Sequence, residues 1–285
     1  MTPILPLVGA SAFSFKGAPG QHWLARGHAA SSVTMDPNYQ RIREHARRLA
    51  ANLPLPAFYR DFSVEAERAR QFMETDPTVS KLRWYVSETV DNTFGHGFMH
   101  AEKVTLDAGT LILVECSKLG EPEAKTEALL TMVQCAGLLH DIKRRRKNHA
   151  ASGAAKAREI LKDYTLSEDN AAAICLAIKN HEAFQPVIEC PDRESTLISG
   201  CLYDADKFRW GPDNFTHTVW EMVSFANISL EVFMQKYPEA MKRLAGITDT
   251  FRTDTGKKYG PEFIAQGLKI GHNLLEYIQH GNHKV

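Results

Sequence analysis

The 285-residue chain is poor in cysteine, in long apolar runs and in net charge. Its 5 cysteines are too few and too irregularly spaced for a disulfide framework or a paired-cysteine zinc site, which favours a reducing compartment. No apolar run approaches the roughly 18 residues that a membrane span requires. Because 34 basic residues balance 34 acidic ones, no overall charge attracts nucleic acid. We therefore expect a cytoplasmic protein with neither a nucleic-acid nor a membrane partner.

Several signatures of catalysis are also missing. The sequence has no GxSxG nucleophile elbow, no phosphate-binding P-loop and no HExxH zinc motif. Strand-like alternation bounded by turn residues is nearly absent too. The chain is therefore predicted to be all-α, and its chemistry must rest on a different arrangement of side chains.

Helix start and stop signals recur from Asp36 onward. Asp36-Pro37 and Asp76-Pro77 each join an N-cap to a proline at the first helical position. Glycine, proline and Asp or Asn residues mark the later joints. Helices are predicted at about 36–51, from 63, at 77–90, 99–117, 122–142, 149–163, 167–183, 193–209, 213–236 and 257–280.

The chain is predicted to form one domain that follows an N-terminal tail. Residues 1–35 are rich in Gly, Ala, Ser and Pro and lack helical periodicity, so we expect a flexible N-terminal tail. The tail has no basic segment before its apolar start, which argues against a secretory signal. No strong linker divides the remainder, and residues 36–285 are therefore expected to form a single all-helical domain.

Three histidines continue the apolar stripe of a predicted helix. His100, His140 and His181 each lie three or four residues from apolar neighbours on the same helical face. One such histidine is more often a hydrogen-bonded core residue than a ligand. Burying several imidazoles and carboxylates without compensation is costly, however. A shared divalent cation offsets the cost, because neutral imidazole and ionised carboxylate are its natural ligands.

Three ordered motifs resemble the signatures of the HD superfamily of metal-dependent phosphohydrolases. They are His100-Ala101-Glu102-Lys103-Val104, Leu138-Leu139-His140-Asp141-Ile142 and Asp204-Ala205-Asp206-Lys207-Phe208. The resemblance covers about residues 95–215. It implies an HD-type helical bundle at this core, with additional helices on its N- and C-terminal sides.

The resemblance implies four ligands for a first divalent ion, namely His100, His140, Asp141 and Asp206. Asp204 and Asp206 lie about 200° apart on a helix, so both are not expected to meet the same ion. Periodicity does not choose between them. The family's closing aspartate directly precedes a basic and an apolar residue, which selects Asp206 and leaves Asp204 to line the pocket or to serve the fold.

Two further histidines look like those of binuclear HD members such as cyclic-dinucleotide phosphodiesterases. The resemblance assigns His149 and His181 to a second ion, although a solvated helix start also explains His149. The Gly-Tyr-Pro element of the cyclic-di-GMP branch does not follow Glu182. Asp141 and Glu182 are candidates for proton transfer. The expected cofactor is one or two ions of Mn, Fe, Mg, Ni or Zn.

Basic residues beside these motifs are candidates for binding phosphate. Lys143, Arg144 and Arg145 directly follow the His-Asp pair, and a solvated loop is the alternative explanation. Lys207 resembles the phosphate-contacting lysine of nucleoside triphosphate hydrolases in the superfamily. His96, between two glycines, either lines the pocket or serves the fold, and Arg209 and Trp210 are candidates to line the pocket and to grip or stack on a base.

The sequence thus predicts a phosphatase or phosphodiesterase that acts on a small phosphorylated, nucleotide-type substrate through metal-activated water. Two alternatives stay open. HD relatives with a di-iron centre oxidise C–H bonds with oxygen, and the same ligands permit that chemistry. A non-catalytic, ligand-binding HD module is the other alternative, but such modules usually lose a ligand position and all four are filled here. Helices outside the core are candidates for a homodimer interface.

Overall fold

The computed structural model describes residues 35–90 and 97–281, which form helices joined by turns. No strand occurs within these ranges, so the all-α prediction is confirmed. Nor does any helix in these ranges combine the length and apolar character needed to cross a membrane. The helices are α1 (Pro37–Ala51), α2 (Ala57–Asp61), α3 (Ser63–Thr75), α4 (Pro77–Thr89), α5 (Phe98–Leu119), α6 (Glu123–Leu139), α7 (His149–Leu161), α8 (Glu168–Lys179), α9 (Arg193–Phe208), α10 (Val219–Phe225), α11 (Leu230–Gly246) and α12 (Asp254–Gln279).

Local capping explains where several of these helices begin and end. The Asp76 carboxylate accepts hydrogen bonds from the backbone N–H groups of Thr78 and Val79, and so caps α4. Such a cap stabilises a helix by about 1 kcal/mol. Helix α5 ends at Gly120, whose φ of 65° suits a residue without a Cβ atom.

Helix α5 lies at the centre of the bundle and packs against α3, α6 and α9. Its close approach to α6 depends on Gly137. A Cβ atom at that position would lie 2.7 Å from Thr105 Oγ1 and 2.8 Å from Thr105 Cα. Because glycine permits this approach, the C-terminal end of α6 lies directly against the first turns of α5. The pair His140-Asp141 follows at that end.

The prediction of one continuous helix at 213–236 is wrong, because the structure divides this segment into three helical pieces. A short π-helix at Asn214–Thr218 leads into α10, and α11 begins only at Leu230. Asn227 adopts a φ of 48°, which ends helical geometry. Ser229 then accepts a hydrogen bond from the backbone N–H of Val232 and caps the new helix.

One apolar cluster of buried side chains runs from Tyr39 in α1 to Ile278 in α12. The single domain over residues 36–285 stays a prediction. The predicted tail, apart from Met35, lies outside the described residues, as does His96.

Candidate metal centre

Six histidine and aspartate side chains come together where five helices begin or end. The chain enters or leaves a helix at each of them, so the bundle presents them at one end. They are His100 in the first turn of α5, His140 and Asp141 just after α6, His149 at the start of α7, His181 just after α8, and Asp206 in the last turn of α9.

A first group forms around His100 and His140. Their Nε2 atoms lie 3.2 Å apart. Asp206 Oδ1 lies 3.3 Å from His100 Nε2 and 3.9 Å from His140 Nε2. Asp141 Oδ2 lies 3.9 Å and 3.6 Å from the same two nitrogens. Two imidazoles and two carboxylates thus converge on one buried point.

A second group shares Asp141 with the first. The Nε2 atoms of His149 and His181 lie 3.2 Å apart. The other carboxylate oxygen of Asp141, Oδ1, lies 3.6 Å from His149 Nε2 and 3.5 Å from His181 Nε2. The two oxygens of one carboxylate therefore face two different pairs of histidines.

Hydrogen bonds at Nδ1 set the orientation of three of these rings. His140 and His181 each donate Nδ1–H to the backbone carbonyl three residues earlier, at 2.7 Å and 2.6 Å. His149 Nδ1 lies 2.8 Å from Glu182 Oε1 and donates to that carboxylate. The tautomer that these contacts require leaves the lone pair of each ring on Nε2, pointing into the cluster. Metal-binding histidines are held in the same way.

The donor set fits a divalent cation. His149 and His181 direct Nε2 lone pairs at each other across 3.2 Å, which is repulsive unless positive charge lies between them. Two nitrogens that bind one ion at about 2.1 Å lie roughly 3.0–3.4 Å apart. The guanidinium of Arg144 already brings positive charge to this point, with Nη1 at 2.7 Å from His149 Nε2 and 3.8 Å from Asp141 Oδ1.

The protonation states also suit metal binding. Burial lowers the pKa of His140 and of His149 to about 4, so both rings are neutral at pH 7. Burial alone would raise the pKa of Asp206, but the charge of the adjacent Lys207 ammonium and a hydrogen bond with His100 hold it well below the usual value. The cluster therefore combines neutral imidazoles with an ionised carboxylate, the forms in which these side chains bind metal.

The predicted phosphate-binding residues occupy different depths. Arg144 lies against the second group, and its side chain is 13% exposed. Lys143 is half-buried, whereas Arg145 is exposed with its guanidinium 5.5 Å from the ring centre of Phe225. Lys207 is fully buried and forms an ion pair with Asp206.

Asp204 lies on the other side of α9 from the cluster. Its carboxylate accepts hydrogen bonds from the backbone N–H groups of Arg252 and Thr253, and from the Thr253 hydroxyl. Asp204 thus ties α9 to the start of α12, while Asp206 faces His100.

Arg209 and Trp210 are both buried at the end of α9. Trp210 packs against Lys207, whose Nζ lies 5.5 Å from the Trp210 ring centre. The Arg209 guanidinium pairs with Asp107 and Asp213 and donates to the Tyr59 hydroxyl. It also lines a cleft of about 210 Å³ next to Pro54 and Phe263.

Asp107 is a residue that sequence reasoning missed. It follows His100 by seven positions, which places it two turns farther along the same face of α5. It is buried, and Arg209, its partner, follows Asp206 by three positions. The pair therefore ties α5 to α9, the two helices that carry His100 and Asp206. The seven-residue spacing from His100 was the feature of the sequence that could have identified Asp107.

Arg209→Met is expected to lower the free energy of unfolding by about 3–5 kcal/mol, because it leaves the Asp107 carboxylate buried without its cation. Urea unfolding followed by circular dichroism measures the change. In Arg158→Met, which removes an exposed partner of Glu168, the loss should stay below about 1 kcal/mol. Similar losses of unfolding free energy in both variants would show that the buried ion pair stabilises the fold no more than an exposed one.

The grouped residues match the sequence motifs. The six residues are the ones that the resemblance to the HD superfamily assigns as metal ligands. No family model matches the chain, and no curated protein matches it. Among solved structures, this chain is similar to the crystal structure of a predicted HD superfamily hydrolase from an uncultured Thermotogales bacterium, with 20% sequence identity and a TM-score of 0.43. The match covers 74% of this chain and 95% of that chain. A likeness at this level assigns no activity.

Proposed function

We propose that this chain is an HD-type hydrolase that uses divalent ions to cleave a phosphate ester of a small, nucleotide-type molecule. The position of Asp141 carries the proposal. One of its oxygens faces His100 and His140, and the other faces His149 and His181. A carboxylate so placed is suited to bridge two ions. Paired ions lower the pKa of a bound water and stabilise the entering and leaving oxygens of a displacement at phosphorus.

Glu182 acts as a positioning residue in this proposal. Burial would raise the pKa of its carboxyl group, but the hydrogen bond from His149 lowers it below the usual value. The ionised carboxylate then holds the His149 ring with Nε2 directed at Asp141. Such partners orient a ligand and make it more basic. Proton transfer to or from the substrate is not assigned to Glu182.

The charge around the cluster favours a phosphate substrate over a neutral one. Arg144 brings a guanidinium to the second group, and Lys143 and Arg145 extend positive charge from the same turn toward solvent. Guanidinium groups bind phosphate oxygens through paired hydrogen bonds. Arg144 is therefore the residue proposed to contact the phosphoryl group. The buried Lys207 supports Asp206 instead.

Metal removal tests the proposed activity. Protein purified without chelator or metal-affinity resin is analysed for bound elements, then assayed on a panel of phosphomonoesters and phosphodiesters. We expect hydrolysis that a chelator abolishes and that Mn, Mg, Ni or Zn restores, because the buried ligands hold the ions that activate water. No hydrolysis with any of these metals would contradict the proposal. Two bound irons with an oxygen-dependent absorption spectrum would favour the oxygenase instead.

A further inference from the structure

The two histidine pairs of the cluster differ in how the nearest cation contacts them. Beside the first pair, the Lys207 ammonium donates to Oδ2 of Asp206. The oxygen of Asp206 that faces His100 and His140 is the other one, Oδ1. This lysine therefore leaves the carboxylate oxygen of the first group available to an ion. Beside the second pair, the cation is the guanidinium of Arg144, which contacts a ring nitrogen directly.

The contact of Arg144 uses the lone pair that a metal ion would need. Nη1 of Arg144 lies 2.7 Å from Nε2 of His149. An arginine side chain only donates, and Nδ1 of His149 donates to Glu182, so Nε2 is the acceptor. A neutral imidazole has one such lone pair, which either accepts a hydrogen bond or binds a metal ion. The same Nη1 lies 3.8 Å from Asp141 Oδ1, the oxygen that faces the second pair.

The charge of Arg144 opposes a second ion as well. A guanidinium is positively charged in proteins, and like charges a few ångströms apart repel most strongly where burial lowers the dielectric constant. The three residues of the second group, His149, His181 and Asp141, are all buried. A divalent ion bound by them would therefore lie beside the guanidinium unless the Arg144 side chain moved.

The Arg144 side chain can move while its backbone stays in place. Its backbone N–H donates to the carbonyl of Asp141 at 2.9 Å, in the turn that follows α6. That bond fixes the start of the side chain, which is itself partly exposed and contains several rotatable bonds. The next residues, Arg145 and Arg146, are exposed, so the turn faces solvent. Rotation about side-chain bonds can thus release His149 without a change in the fold.

We infer that Arg144 competes with the second ion for His149 and leaves Nε2 only when that ion binds, so that the second ion binds more weakly than the first. The inference rests on the proposed function. At low metal concentration the guanidinium holds the second site closed. Because Arg144 is also the residue proposed to contact phosphate, loading of the second ion makes its guanidinium available to the substrate.

Titration calorimetry with Mn²⁺ alone tests the competition. The wild-type protein should bind two ions with unequal dissociation constants. Arg144→Met removes both the donor and the charge, so the dissociation constant of the second ion should fall about 10-fold or more, which corresponds to about 1.4 kcal/mol. The constant of the first ion should change less, because its ligands have no contact with Arg144 apart from the shared Asp141. Arg144→Gln, which is also neutral, should shift the second constant in the same direction.

Arg146→Met is the matched control, because it removes the same charge from an exposed position in the same turn. Its two dissociation constants should equal those of wild type. Thermal melts check that the variants fold, and Arg144→Gln serves if Arg144→Met does not. The inference is wrong if Arg144→Met binds the second ion no more tightly than wild type, if Arg146→Met gives the same change, or if wild type and Arg144→Met both bind a single ion. These titrations contain no phosphate ester, and hydrolysis is tested separately by the chelator experiment and by Asp141→Asn.

Discussion

Asp141→Asn is expected to lower kcat/KM for phosphate-ester hydrolysis on the order of 1,000-fold or more. The Asp141 carboxylate is the group that faces both histidine pairs, and an amide is neutral and offers a metal only one oxygen. Losing the metal-dependent stabilisation of the transition state costs several kcal/mol, and each 1.36 kcal/mol is about tenfold in rate. Steady-state kinetics and elemental analysis on the same preparation measure the effect.

The matched control for that variant is Asp169→Asn, which makes the same chemical change at an exposed position in the first turn of α8. Its rate and its metal content should equal those of wild type. Circular dichroism checks that both variants stay helical. Wild-type turnover and metal content in Asp141→Asn would rule out the proposed centre.

His149→Ala and His181→Ala are each expected to reduce the bound metal from two ions per chain to one. The two Nε2 atoms lie 3.2 Å apart beside Asp141 Oδ1, so each variant removes one of the imidazoles that would hold the second ion. His100 and His140 still face the other oxygen and would keep the first ion. We expect kcat to fall roughly 100- to 1,000-fold, because one ion must then activate water and neutralise the phosphate alone.

Elemental analysis after dialysis against metal-free buffer counts the ions, and initial rates measured at saturating substrate give kcat. His272→Ala, at an exposed position on α12, is the control and should leave both values unchanged. If His149→Ala and His181→Ala bind as much metal and turn over as fast as wild type, the second group is a hydrogen-bonded structural cluster. The enzyme would then work with a single ion.

Most of the helices could be predicted because their signals are local. Asp76-Pro77 and Gly120 mark ends that depend only on backbone hydrogen bonds and on φ within one turn. The close contact between Gly137 and Thr105, in contrast, depends on how two helices pack and is not a local signal. The break at Asn227 could not be predicted, because apolar spacing continues across it.

The candidate site was predictable in its members but not in its arrangement. The motifs singled out all six histidines and aspartates that meet at the centre. They could not show that the two oxygens of Asp141 face different histidine pairs, since that depends on how the ends of α6, α7 and α8 converge. Arg252 was not predicted, because it precedes α12 in a segment without periodicity, and only tertiary packing brings its guanidinium over the Tyr203 ring.

The helical class and most helix ends follow from the amino-acid sequence alone, because capping and apolar spacing act over a few residues, and the resemblance to the HD motifs identified the clustered side chains. Helical periodicity left the choice between Asp204 and Asp206 open, the resemblance favoured Asp206, and the folded chain places Asp206 beside His100. The two lie on different sides of one helix with apolar neighbours on both, and the choice depended on which side α5 and α12 would cover. The same packing set how Asp141 and Arg252 are placed, because their neighbours come from distant parts of the chain.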